Sequence, residues 1–168
     1  MPSCLSSGVF LMHARFMQEA LWEAQLALQT ADVPVGAVVV VDGEIVGRGR
    51  NQREALTDPT AHAEVLALRH AAQRLGSWRL TAATLYVTLE PCIMCIGAAI
   101  LSRIQCLVFG CQDPKAGACG SQFDILGTQR LNHTFPIVAG VCQAEASALL
   151  AGFFQRLRQS AAERWPSG

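Results

Sequence analysis

The sequence predicts an α/β domain: a three-layer α-β-α sandwich around a mixed five-stranded sheet. Three observations carry this. Apolar residues recur at helical spacing over 10–30, with Phe16, Ala20, Ala24, Ala27 and Leu28 on one face. An uninterrupted, mostly β-branched run follows at 37–41, as expected of a strand covered on both faces. Beyond it, helical and strand-like segments alternate, giving the order α-β-β-α-β-α-β-β-α and a sheet with helices on both sides.

The elements follow in turn. Pro34-Val35-Gly36 ends the connection after the first helix. Asp42-Gly43 is a two-residue hairpin signal, so 44–49 returns as an antiparallel partner of 37–41. Residues 51–60 are polar and turn-rich, with Asp58-Pro59-Thr60 at their end. A helix is expected over 61–75, a strand over 85–89, a helix over 92–102 and a strand over 104–110. A long Gly-rich loop over 113–131 shows little pattern, and long loops in compact domains are often functional. A last strand at 135–141 and a closing helix at 144–163 complete the chain. Residues 1–9 read as a loose extension, 10–164 as the domain and 165–168 as a tail.

Length and composition agree. The chain has 168 residues, 51% hydrophobic and 15% charged, enough for one substantial core and unlike a disordered segment. The formal net charge is zero, which argues against a strongly basic nucleic-acid coat but leaves room for a local patch. No secretory opening and no membrane-length apolar run is apparent. The seven cysteines therefore read as reduced thiols of a cytoplasmic protein.

Chemistry concentrates in two short segments, His62-Ala63-Glu64 and Pro91-Cys92-Ile93-Met94-Cys95. The first offers an imidazole and, two residues on, a carboxylate. Pro91 suits the first turn of a helix, and Cys92 and Cys95 then share one face. A helix N-terminus favours the thiolate form that a metal binds. His62, Cys92 and Cys95 together describe a zinc site with three protein ligands and one open position, the arrangement of catalytic rather than structural zinc. Such a site lowers the pKa of bound water towards ~7. Glu64, beside the opening, is placed to move the water proton. A lone Cys-x-x-Cys also suits a redox pair or half of a structural zinc site, with Cys111 or Cys119 as a further ligand. The redox reading leaves His62 and Glu64 without a role.

On these segments the chain resembles the zinc-dependent cytidine/adenosine deaminase superfamily, whose His-x-Glu and Pro-Cys-x-x-Cys pattern is well described. The branch it is most similar to is the bacterial tRNA-specific adenosine deaminases. The segments carrying that closer likeness include 33–37, Asn51, 58–64, 86–98, 102–104, 113–118, 120–121, 131–133 and 153–154. The resemblance implies a cytidine-deaminase-like fold and one Zn2+ per subunit. It implies hydroxide attack at the C6 carbon of adenine, with Glu64 shuttling the proton, ammonia leaving and inosine remaining.

By the same resemblance, Asn51 hydrogen-bonds the purine and the backbone near Ala61 meets the base. Asp113, Lys115 and Asn132 line a groove for a tRNA anticodon stem-loop, expected to be that of an arginine tRNA. Phe153, Phe154 and Arg156 grip the single-stranded loop by stacking and phosphate contact. Each has a plainer alternative. Asn51 suits a turn, Lys115 suits a solvated loop, and at least one of Phe153 and Phe154 suits the core. Pairing through the helix starting at Cys92 implies a homodimer, for which Gly97, Ala98 and Ala99 are small enough. A deaminase of a free base or nucleotide, such as guanine or a cytosine compound, shares the zinc motif, and a zinc-stabilised RNA-binding module is the reading of another class.

Overall fold

The computed structural model describes residues 7–128 and 130–164. Residues 1–6 of the expected extension, and the expected tail at 165–168, lie outside the described residues. Five strands form one sheet in the order β2-β1-β3-β4-β5. They are β1 (Gly36–Val41), β2 (Glu44–Arg50), β3 (Thr84–Leu89), β4 (Cys106–Cys111) and β5 (Ile137–Ala139). The helices are α1 (Ser7–Ala27), α2 (Arg53–Leu56), α3 (Ala63–Leu75), α4 (Ile93–Leu101) and α5 (Gln143–Arg164).

β1 runs antiparallel to both β2 and β3, whereas β3, β4 and β5 are mutually parallel, so the sheet is mixed. The β1–β2 turn has Asp42 at φ 50° and Gly43 at φ 81°. Two successive positive φ angles match the tight hairpin turn whose twist suits the flanking strands. Side chains alternate across the sheet and build two cores. Val38, Val40, Tyr86 and Val108 pack with Phe16, Met17 and Ala20 of α1 and with Ala146 of α5. Ala37, Val39, Leu85, Val87, Leu107 and Phe109 pack on the other face with Ala67 and Leu68 of α3 and Ile96 and Ile100 of α4. These are the outer layers of the expected sandwich.

Small residues set how closely α3 lies on the sheet. Gly49 faces Ala63 and Ala67, and a Cβ there would drive into the Ala63 carbonyl and the Ala67 backbone nitrogen. Ala63 and Ala67 are themselves fully buried. This close approach fixes the first turn of α3, which follows directly on His62, against the end of β2. On the opposite face Glu23 of α1, 6% exposed, reaches Arg48 at 3.5 Å and Arg50 at 3.4 Å, tying that helix to the same strand.

Three expectations shift. α1 begins at Ser7, not at residue 10, because 7–9 contain no proline and the helix runs on ahead of its first buried side chain, His13. The stretch after Asn51, expected as turns only, contains the short α2. The buried Asp32 carboxylate accepts the Glu54 N–H at 2.8 Å and the Ala55 N–H at 3.3 Å, an anchor from a distant segment that local patterning does not reveal. The last strand is three residues rather than seven, since Phe135 precedes the pairing and Gly140 turns the chain with φ 84°.

Candidate active site

One end of the sheet gathers His62, Cys92, Cys95, Glu64, Asn51 and Asp113. The antiparallel pairing of β1 places its start beside the ends of β2 and β3, with Gly36 opposite Arg50 and Ala37 opposite Val87. Parallel pairing brings the last residues of β4 to the same end, with Leu89 opposite Cys111. The chain leaves β2 into Asn51, β3 into Glu90 and Pro91, and β4 into the loop holding Asp113. Helices α3 and α4 both start there. Open α/β sheets bind ligands in the crevice beyond the carboxyl ends of their strands, and a cleft lies at this end.

His62 is the extended residue capping α3, with φ −78° and ψ 150°. Cys92 caps α4 in the same way, and Cys95 sits in its first turn, fully buried. The ring Nδ1 of His62 lies 3.7 Å from Cys92 Sγ and 3.5 Å from Cys95 Sγ. All three potential ligand atoms fall within 4.8 Å of one another. Zinc–nitrogen and zinc–sulfur bonds of tetrahedral sites give a nitrogen–sulfur edge of about 3.6 Å. The observed nitrogen–sulfur separations therefore suit a single zinc ion. Cys119, weighed as a further ligand, stands outside this cluster, and burial pushes its thiol up to about 12. Cys111 is outside it too and its thiol donates to the Thr88 carbonyl.

The three side chains lie within hydrogen-bonding reach of one another, and each shifts the proton affinity of its neighbours. A hydrogen bond with Cys95 pulls Cys92 down to about 3, with His62 assisting against burial. The same bond with Cys92 pushes Cys95 up. The hydrogen bond with Cys92 raises His62. Glu64, in the first turn of α3 and 4% exposed, is raised by burial. A carboxyl raised toward neutrality is the kind that can both accept and return a proton.

The cleft has a volume of about 210 Å³. That is below the ~300–1,000 Å³ typical of sites for drug-sized ligands, and suits one planar base. Val33, Val35, Asn51, His62, Glu64 and Asp113 are among its lining residues. Asn51 is 5% exposed, and its Nδ2 donates to the Val33 carbonyl at 3.1 Å. That bond fixes the orientation of the amide and leaves Oδ1 buried without a partner. Buried acceptors are rarely left unpaired, and this one belongs to a residue that lines the cleft.

Other expected site residues are placed as follows. Ala61 is buried, its carbonyl accepts the Gln52 N–H at 3.0 Å, and it precedes His62 without itself lining the cleft. The Asp113 carboxylate accepts the Lys115 and Ala116 N–H groups at 2.9 and 3.2 Å, so Lys115 is displayed on an ordered turn. Asn132 is exposed and accepts from Arg103 at 3.0 Å. Phe153 is buried, whereas Phe154 is 43% exposed and meets it edge to face at 5.4 Å. Arg156 is exposed on the same helix. Asn132, Phe153, Phe154 and Arg156 do not line the cleft.

Sequence reasoning overlooked Glu90 and Arg53. Arg53 lines the cleft from α2. Glu90, 2% exposed, accepts the N–H groups of Asp113 at 3.0 Å, Cys119 at 2.9 Å and Ser121 at 3.1 Å, and the Ser121 hydroxyl. Burial pushes its carboxyl up, but these bonds outweigh it, led by the Ser121 hydroxyl, and hold it below the usual range. The only signal in the sequence was an acidic residue directly before the Pro-Cys step.

Comparison with known proteins follows this geometry. A model of the MafB19-like deaminases matches residues 11–158. The tRNA-specific adenosine deaminase of Bacillus subtilis is 47% identical over 144 residues, covering 86% of this chain and 89% of its own. That of Haemophilus influenzae is 47% identical over 146 residues, covering 86% and 84%. A solved structure from studies of A-to-I editing by tRNA deaminases at the wobble position superposes with a TM-score of 0.79 at 42% identity, covering 81% of this chain and 99% of its own. Guanine deaminase from Nitrosomonas europaea superposes with a TM-score of 0.70 at 25% identity, covering 83% of each. With the three-ligand cluster and its buried glutamate in place, the chain belongs to the tRNA-specific adenosine deaminases and carries a MafB19-like deaminase domain.

Proposed function

We propose that this protein hydrolyses adenosine to inosine at the wobble position of a tRNA anticodon stem-loop, an arginine tRNA being the expected substrate. The observation that carries the reading is the His62–Cys92–Cys95 cluster with buried Glu64 beside it in a cleft sized for one base. Bound at those three side chains, zinc supplies the Lewis acidity that makes water a nucleophile at neutral pH. The residues of the chain do the rest.

Val33 and Val35 provide apolar wall for the flat base. Asn51 offers its free Oδ1 to a purine N–H and keeps the base from turning in the cleft. Glu64 accepts a proton from the attacking water and passes it to a ring nitrogen, then takes the proton of the new C6 hydroxyl and hands it to the leaving amine. One water is consumed, its oxygen replaces the amino group at C6 to give inosine, and that amino group leaves as ammonia. Enclosure by the loop around Asp113 keeps competing water away from the base. Lys115, Asn132, Phe154 and Arg156, outside the cleft, meet the flanking nucleotides, with Phe153 as the buried support of Phe154.

The protein acts in the cytoplasm as a homodimer. Six cysteines among the described residues are free thiols, which suits a reducing compartment. Among those residues no helix is long and apolar enough to cross a membrane. Ile93 and Leu101 of α4 are 49% and 70% exposed, and a Cβ at Gly97 would meet open space, so that helix has an apolar face free for a second copy. Light scattering at micromolar concentration reads the assembly directly.

Replacing Glu64 with alanine separates catalysis from binding. The Glu64→Ala protein is expected to keep its zinc and its affinity for the stem-loop while turnover falls by about 10²–10⁴-fold. Turnover equal to that of the parent protein would remove Glu64 from the reaction.

A further inference from the structure

We propose that Glu90 is a positioning residue that builds the Asp113–Ser121 wall of the cleft and so sets substrate binding, resting on the deaminase reading above. No part of the reaction described above uses this side chain. Yet it is nearly fully buried and accepts four hydrogen bonds from three residues of one loop. Its two oxygens divide the loop between them. Oε1 takes the Cys119 and Ser121 amides, and Oε2 takes the Asp113 amide and the Ser121 hydroxyl.

The loop's other holds on the domain are Ala118, fully buried in the core, and two backbone contacts. Its contacts with the start of α4 are a bridge between Cys92 and Gly117 and the bond from the Ala118 N–H to the Pro91 carbonyl at 2.8 Å. A Cβ at Gly117 would collide with the Glu90 carboxylate, so the loop backbone is pressed directly onto it. Asp113 and Ala116, at the near end of this loop, line the cleft together with Glu90. Apart from Ala118 and Cys119, which pack in and against the core, the segment has little apolar packing and takes its shape from this carboxylate, and that shape forms part of the wall of the site. A position fixed in this way acts on how the substrate fits, not on the proton transfers at Glu64.

The test combines amide hydrogen exchange with steady-state kinetics on the zinc-loaded full chain, using an anticodon stem-loop with adenosine at the wobble position. In Glu90→Gln, one oxygen remains for the Cys119 and Ser121 amides, because the Ser121 hydroxyl can turn round to accept from the new NH2 group. The Asp113 amide then faces a donor. Exchange is expected to quicken about tenfold or more around 113–116, with 119–121 and α4 unchanged. In Glu90→Ala both halves of the loop are expected to quicken.

Glu90→Gln is expected to raise KM about tenfold with kcat within about threefold and zinc content unchanged, the pattern of lost binding. Gly117→Ala, which displaces the same contact from the loop side, is expected to give the same split. Unchanged exchange in Glu90→Ala, or a fall in kcat with KM unchanged, would overturn the proposal. If Glu90→Gln does not fold, Ser121→Ala supplies a milder KM rise, and an unaltered KM there overturns it equally. If the parent protein forms no inosine, the deaminase reading fails by itself, while the exchange data still decide whether Glu90 holds the loop.

Discussion

Asn51→Ala is the perturbation whose effects on stability and activity are expected to part company. In the folded chain Asn51 makes one bond, from Nδ2 to the Val33 carbonyl at 3.1 Å, and leaves Oδ1 buried without a partner. Removing the bond loses about 0.5–1.5 kcal/mol. Removing the unpaired acceptor returns about 1–3 kcal/mol. The two nearly offset, so the free energy of unfolding by urea is expected to fall by no more than about 1 kcal/mol. Substrate binding has no such offset. A base that donates to Oδ1 loses a buried partner, and about 1–3 kcal/mol lowers kcat/KM about 5- to 150-fold. The assay is inosine formation in the stem-loop at several substrate concentrations, beside urea unfolding of the same preparation. A variant destabilised by about 3 kcal/mol or more with unaltered kcat/KM would refute the reasoning and make Asn51 a turn residue and nothing else.

Gly49→Ala would push its new methyl into the backbone of Ala63 and Ala67, atoms that cannot swing aside. Overpacking of this kind is expected to remove about 1–3 kcal/mol by urea unfolding. Because α3 begins with His62, zinc affinity measured by competition with a chromogenic chelator is expected to fall with it. Stripping the metal is expected to abolish turnover and lower the thermal midpoint, with both restored by zinc and not by magnesium, which prefers oxygen ligands. His13, 8% exposed with Nδ1 2.9 Å from the Tyr86 hydroxyl, has its pKa lowered from 6.5 by burial. The unfolded chain binds that proton more readily, so this contribution to stability is complete above the unfolded value and is lost as pH falls through ~6.5 towards the folded value. His13→Gln is expected to flatten the decline of the unfolding midpoint between about pH 6.5 and 5 relative to the parent.

The legible part of this molecule was the part written in local pattern. The Val38–Val41 run gave a central strand, Asp42-Gly43 gave its hairpin, and the alternation beyond gave the sandwich. The ligand cluster was legible for a related reason, since His62, Cys92 and Cys95 each stand at a helix start whose chemistry is local. What remained hidden is held by contacts between distant segments. Asp32 anchors α2 from about twenty residues away, and Glu90 gathers amides from 113–121, neither of which any periodicity announces. The early start of α1 is not legible because its first three residues offer a single apolar side chain, the exposed Val9, and so no face to read. The free Oδ1 of Asn51 exists only in three dimensions, because it depends on Val33 taking up the other half of the amide.

The most direct test offers the zinc-loaded protein an anticodon stem-loop of arginine tRNA with adenosine at the wobble position and, separately, free adenosine, adenine, guanine and cytidine. Ammonia release and nucleoside analysis follow each reaction. Inosine in the stem-loop, with the free compounds unchanged, is the predicted result. Ammonia from a free base with the stem-loop intact would keep the zinc chemistry and contradict the assignment to RNA.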